Sequence, residues 1–415
     1  MNNGITAVKR LLAWPGETRR IVGVAGLGVA LLAALFLGLI IQRDTVSLQL
    51  PAPPAAVALQ SNVEVSVSPG TDIPADSKPL PWRASGRWLP TPDGHGLLHE
   101  WPGLTVSARF EGRTVLLTLD DASNRFRLSV DGTPMALLTR PGNATIRVSG
   151  LDDGPHDLHL ERLSEAWAPA RINGLFVPPS GDVLTPDPLP AHRIDVFGDS
   201  DSVGYGNTST SRLCPGDNVF LLTDATQAWP RILANHYKTT ASVMARSGIG
   251  LVRNGTGGMP DTTMSQIHNR LLPSDATTAT VTARQAKPWL TVVALGDNDF
   301  SQPLALDEFW PNNTALQTSF TRTLDHFLRT RLRDFPGSPI LLLSFTEVGQ
   351  DAHPGLSAVS KQLAAEGQPV LNIKLPRLDR QACDWHPSLA DHRLISDTLI
   401  STIDDLILKS RLPRP

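Results

Sequence analysis

Residues 196–207 read VFGDSDSVGYGN. They continue an apolar run that begins at Arg193, and the run closes on a glycine, two carboxylates and two hydroxyls. A strand that stops in this way places Ser200 just past a sheet edge. Gly198 lets the backbone turn sharply, and Gly204 and Gly206 keep the following loop close to that turn. The kind of sheet follows from the chain downstream. From about residue 192, apolar β-branched runs (TTASVMARS, WLTVVALGDND, PILLLSF, PVLNIKL) alternate with helical patterns near 227–237, 263–272, 315–333, 358–366 and 388–409. Strand–helix alternation on this spacing predicts an α/β domain over 190–415, a parallel sheet with helices on both faces. Its working residues belong at the carboxyl ends of the strands.

Upstream the period changes. Residues 87–179 hold short alternating runs (RTVLLTLDD, RFRLSVDGTP, HDLHLERL) separated by turn signals, with Val130-Asp131-Gly132 and Asp153-Gly154 read as hairpin-type turns. This predicts a β-sandwich over 86–185 with no catalytic constellation of its own. Residues 42–85, rich in Pro, Ala, Ser and Val without sustained periodicity, read as an extended linker. Before them, residues 21–41 (IVGVAGLGVALLAALFLGLII) carry no charge and are long enough for a helix to cross hydrocarbon. Lys9, Arg10, Arg19 and Arg20 precede the run, and only Arg43 follows closely. The positive-inside bias then predicts a cytoplasmic segment 1–20, a single-pass signal anchor in the inner membrane, and a chain exposed in the periplasm or outside the cell. A cleaved signal peptide is one alternative, although Leu39-Ile40-Ile41-Gln42-Arg43 offers no small-x-small cleavage site. A buried core helix is the other, although such helices seldom stay apolar on every side.

The 415 residues carry a net charge of −3 with 19% charged side chains, which leaves no basic stripe for nucleic acid and no acidic tail. Neither a Cys-x-x-Cys, a His/Cys ligand cluster nor a phosphate-cradling loop is present, so no metal, cofactor or nucleotide is implied.

Partners must therefore be argued from strand ends. A serine hydroxyl needs a base to take its proton, and the base needs a group that fixes its tautomer. Asp384-Trp385-His386-Pro387, after the last strand and before the closing helix, offers both, with Asp384 able to turn back towards the imidazole. Read blandly, Gly-Asp-Ser is an ordinary turn and a loop histidine is a solvated surface group, as His353 and His392 are taken to be. The stretch is not the G-x-S-x-G elbow, because residue 202 is Ser. Acyl transfer also needs donors where negative charge develops on the carbonyl oxygen. Arg246-Ser247-Gly248-Ile249-Gly250 and Gly296-Asp297-Asn298-Asp299 supply candidates after the second and third strands.

GDSDSVGYGN, SGIGLVRN, LGDNDF and DWHP together resemble the four blocks of the SGNH (GDSL) hydrolase superfamily, in the form found in carbohydrate esterase family 2. The β-rich region before them is similar to that family's N-terminal jelly-roll domain. The resemblance implies Ser200 as nucleophile, Gly250 as backbone oxyanion donor with Gly248 as the alternative, Asn298 as side-chain donor, and His386 as base. It implies Asp384 as triad carboxylate, although members of this family also work with a serine–histidine dyad. Asp199, Trp310 and Trp385 are expected against the substrate. Two residues depart from the pattern: Asp201 follows the nucleophile, and Asp297 stands where a hydroxyl residue is usual. Both carboxylates would oppose a developing oxyanion unless they point away or meet Arg246 or Arg253.

If Ser200 and His386 meet, Cys214 and Cys383 are brought together, and an oxidising compartment would join them as a disulfide; two buried thiols are the alternative. The reading is a membrane-anchored esterase that removes acetyl groups from an acetylated glycan through an acyl-enzyme. A glycan O-acetyltransferase using the same serine and a non-catalytic glycan-binding protein are its rivals.

Overall fold

The computed structural model describes residues 63–165, 168–275 and 287–415. The expected spanning segment 21–41 lies outside them; among the described residues no helix is long and apolar enough to cross a membrane. Residues Ala56–Pro415 form one compact unit.

Its N-terminal part consists of two antiparallel sheets. One runs in the order Glu64–Pro69, Gly142–Ser149, Thr114–Asp121, Ala170–Val177, Leu97–His99, Trp88–Pro90, and the other Asp182–Leu184, Thr105–Glu111, Pro155–Arg162, Arg125–Val130, Thr133–Thr139. Alternate residues of both sheets, among them Leu117, Ile146, Phe126 and Leu158, share one buried core, as sandwich packing requires. Two expectations are corrected here. Glu64–Pro69, expected within the linker, is a strand that pairs with Gly142–Ser149 along its whole length. Its flanking prolines mask a short Val63/Val65 alternation that packs on the core. Asp131-Gly132 is a two-residue hairpin with both φ positive, whereas Asp153-Gly154 joins strands of different sheets and is no hairpin.

Among the described residues the second part holds five strands, β1 (Arg193–Gly198), β2 (Thr240–Ala245), β3 (Leu290–Val293), β4 (Ile340–Ser344) and β5 (Val370–Lys374). All neighbours are parallel and the order is β2-β1-β3-β4-β5. Strand order reverses between β1 and β3, which opens a crevice at their carboxyl ends. Among the described residues seven helices follow the strands: α1 (Ser200–Val203), α2 (Asn218–Leu222), α3 (Trp229–His236), α4 (Met264–Ile267), α5 (Asn313–Asp334), α6 (His353–Ala365) and α7 (Leu389–Leu408). Helix α5 is capped by Asn312, whose side chain accepts from Ala315 N–H at 3.0 Å, and it buries Leu316, Phe320, Leu324 and Phe327 at helical spacing. Helix α6 starts five residues earlier than the sequence pattern suggested. Pro354 stands in its first turn, where a missing N–H costs nothing.

Candidate active site

Ser200 opens α1 directly after β1. Asp199 caps that helix, its carboxylate accepting from Asp201 N–H at 3.0 Å, and Gly204 ends it in the left-handed conformation. Ser200 is 8% exposed, and its hydroxyl makes no hydrogen bond among the described residues.

His386 arrives from the other end of the sheet, past β5. Its Nδ1 lies 2.9 Å from the Cys383 carbonyl. A carbonyl can only accept, so Nδ1 carries a proton, and in the neutral imidazole Nε2 is the nitrogen with the free lone pair. Nε2 has no partner among the described residues. The Tyr205 ring, five residues beyond Ser200, stacks on the imidazole with centroids 4.1 Å apart. Asp384 does not perform the expected turn towards His386. Its backbone is left-handed at φ 48, and its carboxylate accepts from Tyr205 Oη at 2.9 Å. Burial and that hydrogen bond push the Tyr205 phenol up to about 12.

The expected disulfide is present: Cys214 and Cys383 are bonded, with Cα atoms 5.4 Å apart. A Cβ on Gly206, which has φ 53, would stand 2.5 Å from Cys383 Sγ, so only glycine lets the two loops close. Arg212 reinforces the junction, donating to the carbonyls of Arg380 at 2.8 Å and Asp379 at 2.9 Å.

The donors are redistributed. Gly250 N–H is taken by Asn254 Oδ1 at 3.1 Å, and a Cβ there would run into the Arg253 carbonyl. Gly248 instead occupies the third position of a turn closed by Ile249 N–H to Arg246 O at 3.2 Å; it has φ 76 and open space beside its Cα. Its N–H has no partner among the described residues. Asn298, just past β3, sends its amide to Asp199 Oδ2 and to the Ile249 carbonyl, both at 3.1 Å. Asp199 is therefore buried with its oxygens on protein donors, and does not face substrate as expected. Burial, Asp201 and Asp297 together push its pKa well up.

Two residues that the sequence did not single out hold the donor loop. Asp299, fully buried, accepts from the N–H groups of Leu251, Val252 and Arg253, and burial raises it to about 6 despite those bonds. Glu165, from the sandwich, accepts from Ser247 N–H and Ser247 Oγ at 2.8 Å each. The turn carrying Gly248 is thus gripped from both domains. Asp201 meets neither Arg246 nor Arg253. Arg253 is committed to Glu308 and to the carbonyls of Asp299 and Gln302 in the loop after β3, Arg246 reaches Thr262, and Asp201 pairs with Arg380.

Trp385 stands 62% exposed beside His386, with the Arg212 guanidinium 3.5 Å over its ring. Trp310 is half-buried; its neighbour Phe309 is exposed. His392, taken for a solvated residue, is buried and accepts from Trp229 N–H at 3.3 Å, and burial lowers it to about 4.

A sandwich ahead of a β2-β1-β3-β4-β5 sheet with serine, glycine, asparagine and histidine blocks at its strand ends defines an SGNH hydrolase. Residues 85–188 match the carbohydrate esterase 2 N-terminal family. An acetylxylan esterase / glucomannan deacetylase of Cellvibrio japonicus is 31% identical over 333 residues, which cover 79% of this chain and 92% of that protein. Among solved structures, a carbohydrate esterase whose active site displays divergent catalytic and non-catalytic binding functions superposes with a TM-score of 0.71 at 29% identity, over 79% of this chain and 98% of that one. A family two carbohydrate esterase from Clostridium thermocellum in complex with cellohexaose gives 0.69 at 25%, over 79% and 99%. The chain belongs to carbohydrate esterase family 2 and is a carbohydrate acetylesterase.

Proposed function

We propose that the enzyme removes O-acetyl groups from a polysaccharide or oligosaccharide through an acetyl-enzyme on Ser200. The Ser200 oxygen attacks the acetyl carbonyl while its proton passes to His386 Nε2. Negative charge on the carbonyl oxygen is met by Gly248 N–H and by the Asn298 amide, which keeps one hydrogen on Asp199 and turns the other from Ile249 to the oxyanion. The bond to the sugar oxygen then breaks as His386 returns the proton to it. Water, giving its proton to the same nitrogen, attacks the acetyl carbonyl, and as the bond to the Ser200 oxygen breaks His386 returns that proton to it, releasing acetate and regenerating Ser200.

The observation that carries this reading is the Nδ1 to Cys383 carbonyl bond, which leaves Nε2 as a free base on a loop disulfide-bonded to the serine's loop. Family 2 relatives named for xylan and glucomannan make acetylated forms of those glycans the first substrates to try, with Trp385 offering a flat face to a sugar ring. Acetate release from each should fall by at least about 10⁴ on Ser200→Ala; undiminished release would remove the serine from the mechanism. Free acetate formed in the presence of an unacetylated glycan acceptor supports hydrolysis over transfer.

Residues 21–41 are further proposed to anchor the enzyme in the inner membrane with the hydrolase on the periplasmic side, on the strength of their uncharged run and the basic residues before it. Extraction of the full chain by carbonate would count against that anchor.

A further inference from the structure

The residue after the nucleophile is a carboxylate, and it is buried at 4% exposure. Its partner lies 179 positions away. Arg380 Nη1 and Nη2 meet the two oxygens of Asp201 at 3.1 and 2.6 Å, a bidentate pair. The same guanidinium donates through Nε to Glu347 Oε1 at 2.7 Å, in the loop after β4, and through Nη1 to the Trp385 carbonyl at 3.5 Å. One side chain therefore touches the residue next to Ser200 and the residue next to His386. Its own backbone is pinned: φ is 50, the N–H is held by Asp391 Oδ2 at 3.1 Å, and the carbonyl accepts from Arg212.

We propose that Arg380 is a positioning residue for deacetylation: it fixes the spacing between Ser200 and His386 and neutralises Asp201 beside the developing oxyanion. The proposal rests on the serine–histidine reading given above. In this chain Nδ1 of the imidazole meets a backbone carbonyl of its own loop in place of a carboxylate, so its placement depends on that loop as well as on the stacked Tyr205 ring, and Arg380 ties that loop to the nucleophile turn. Charge makes the second demand. Asp199, Asp201, Asp297 and Glu347 lie within electrostatic reach of one another, and Arg380 is bonded to two of them. An unpaired Asp201 would resist the oxyanion and stabilise the imidazolium, drawing the proton onto the base.

The titratable groups that act on His386 are the Tyr205 phenol, whose ring stacks on it, Asp201 from the nucleophile side and His392 from α7; Asp384, on its own loop, is turned to Tyr205, and Arg380 reaches the neighbouring Trp385 carbonyl. Of these, Asp201 is the one whose charge balance an Arg380 substitution changes directly. The test compares the full chain with Arg380→Lys, Arg380→Met, the double variant Asp201→Asn/Arg380→Met, and Ser200→Ala, following kcat and KM for acetylated xylan and aryl acetate across pH, with circular dichroism to verify folding. Arg380→Lys should lose tenfold or more in kcat at nearly unchanged KM, because an ammonium is a point charge without the planar fork (about 10-fold). Arg380→Met should move the acid limb of kcat/KM up by about one pH unit, and the double variant should return that limb towards wild type while kcat stays low. Folded Arg380 variants with the wild-type limb and wild-type kcat overturn the proposal. If Ser200→Ala is inactive in that same series, only the role of Arg380 has failed; if Ser200→Ala is active, the serine–histidine reading itself has failed.

Discussion

Breaking the Cys214–Cys383 bond tests how the site is held together. The bond spans 169 positions, so it closes a very long loop in the unfolded chain. On the chain-entropy relation, a loop of that length corresponds to about 5 kcal/mol at 25 °C. For the unit Ala56–Pro415, an unfolding entropy of about 2.1 cal/mol/K per residue converts this to a fall of about 7 °C in Tm. Locally the loss is cushioned. The Arg212 side chain still bonds the carbonyls of Asp379 and Arg380, and Asp384 N–H still bonds the Arg212 carbonyl at 2.8 Å. The variant Cys214→Ala/Cys383→Ala should therefore keep measurable esterase activity at low temperature while denaturing earlier. Urea unfolding followed by fluorescence, with and without reductant, gives the shift directly: wild type should move towards the variant when reduced, and the variant should not move. Coincident transitions for oxidised wild type and variant would refute the argument that this bond restrains the unfolded chain.

Three further outcomes follow from the site. Asp384→Asn should cost less than about tenfold in kcat, because the imidazole is fixed by the Cys383 carbonyl; a loss near 10⁴, as for a triad aspartate, would mean that Asp384 orients the base during turnover. Glu165→Ala frees the Ser247 N–H and hydroxyl on the Gly248 turn, so kcat should fall by about tenfold or more with little change in KM, and an unchanged kcat would separate the sandwich from catalysis. Burial and the Asp201 carboxylate raise Asp297 from 3.8 to about 8 in the folded protein. Its contribution to stability is complete below 3.8 and is lost as pH rises through about 8. Asp297→Asn should accordingly gain on wild type in urea unfolding as pH goes from 4 to above 8, and parallel pH profiles would contradict that assignment.

Much of this architecture was legible because its signals are local. The period change near residue 190 separates sandwich from parallel sheet, Ser200 and Asn298 stand out as polar residues closing apolar runs, and His386 stands in the polar loop between the last strand and the closing helix. The cysteine pairing followed from the meeting of two loops rather than from spacing. What escaped were side-chain directions set by backbone reversals and by partners far along the chain. Left-handed φ values at Asp384 and Trp385 turn the aspartate to Tyr205 and present a carbonyl to the histidine in its place. Arg246 and Arg253 are the candidate partners that the sequence offers Asp201 if it does not point away, yet the parallel sheet brings Arg380 from beyond β5 onto it. Gly250 carries the glycine pattern, but hydrogen bonding from its own loop occupies its N–H and leaves Gly248 open. Glu165 was invisible, since nothing in a sandwich sequence announces contact with a turn of another domain.

The most direct test of the central claim is to quench the enzyme with acid during turnover of an acetyl ester and map the peptides by mass spectrometry. The account predicts one acetyl group on the peptide carrying Ser200, accumulating further in a His386→Ala variant supplied with an activated aryl acetate. Turnover in which Ser200 is never acetylated, or in which the acetyl group resides on another side chain, would contradict it.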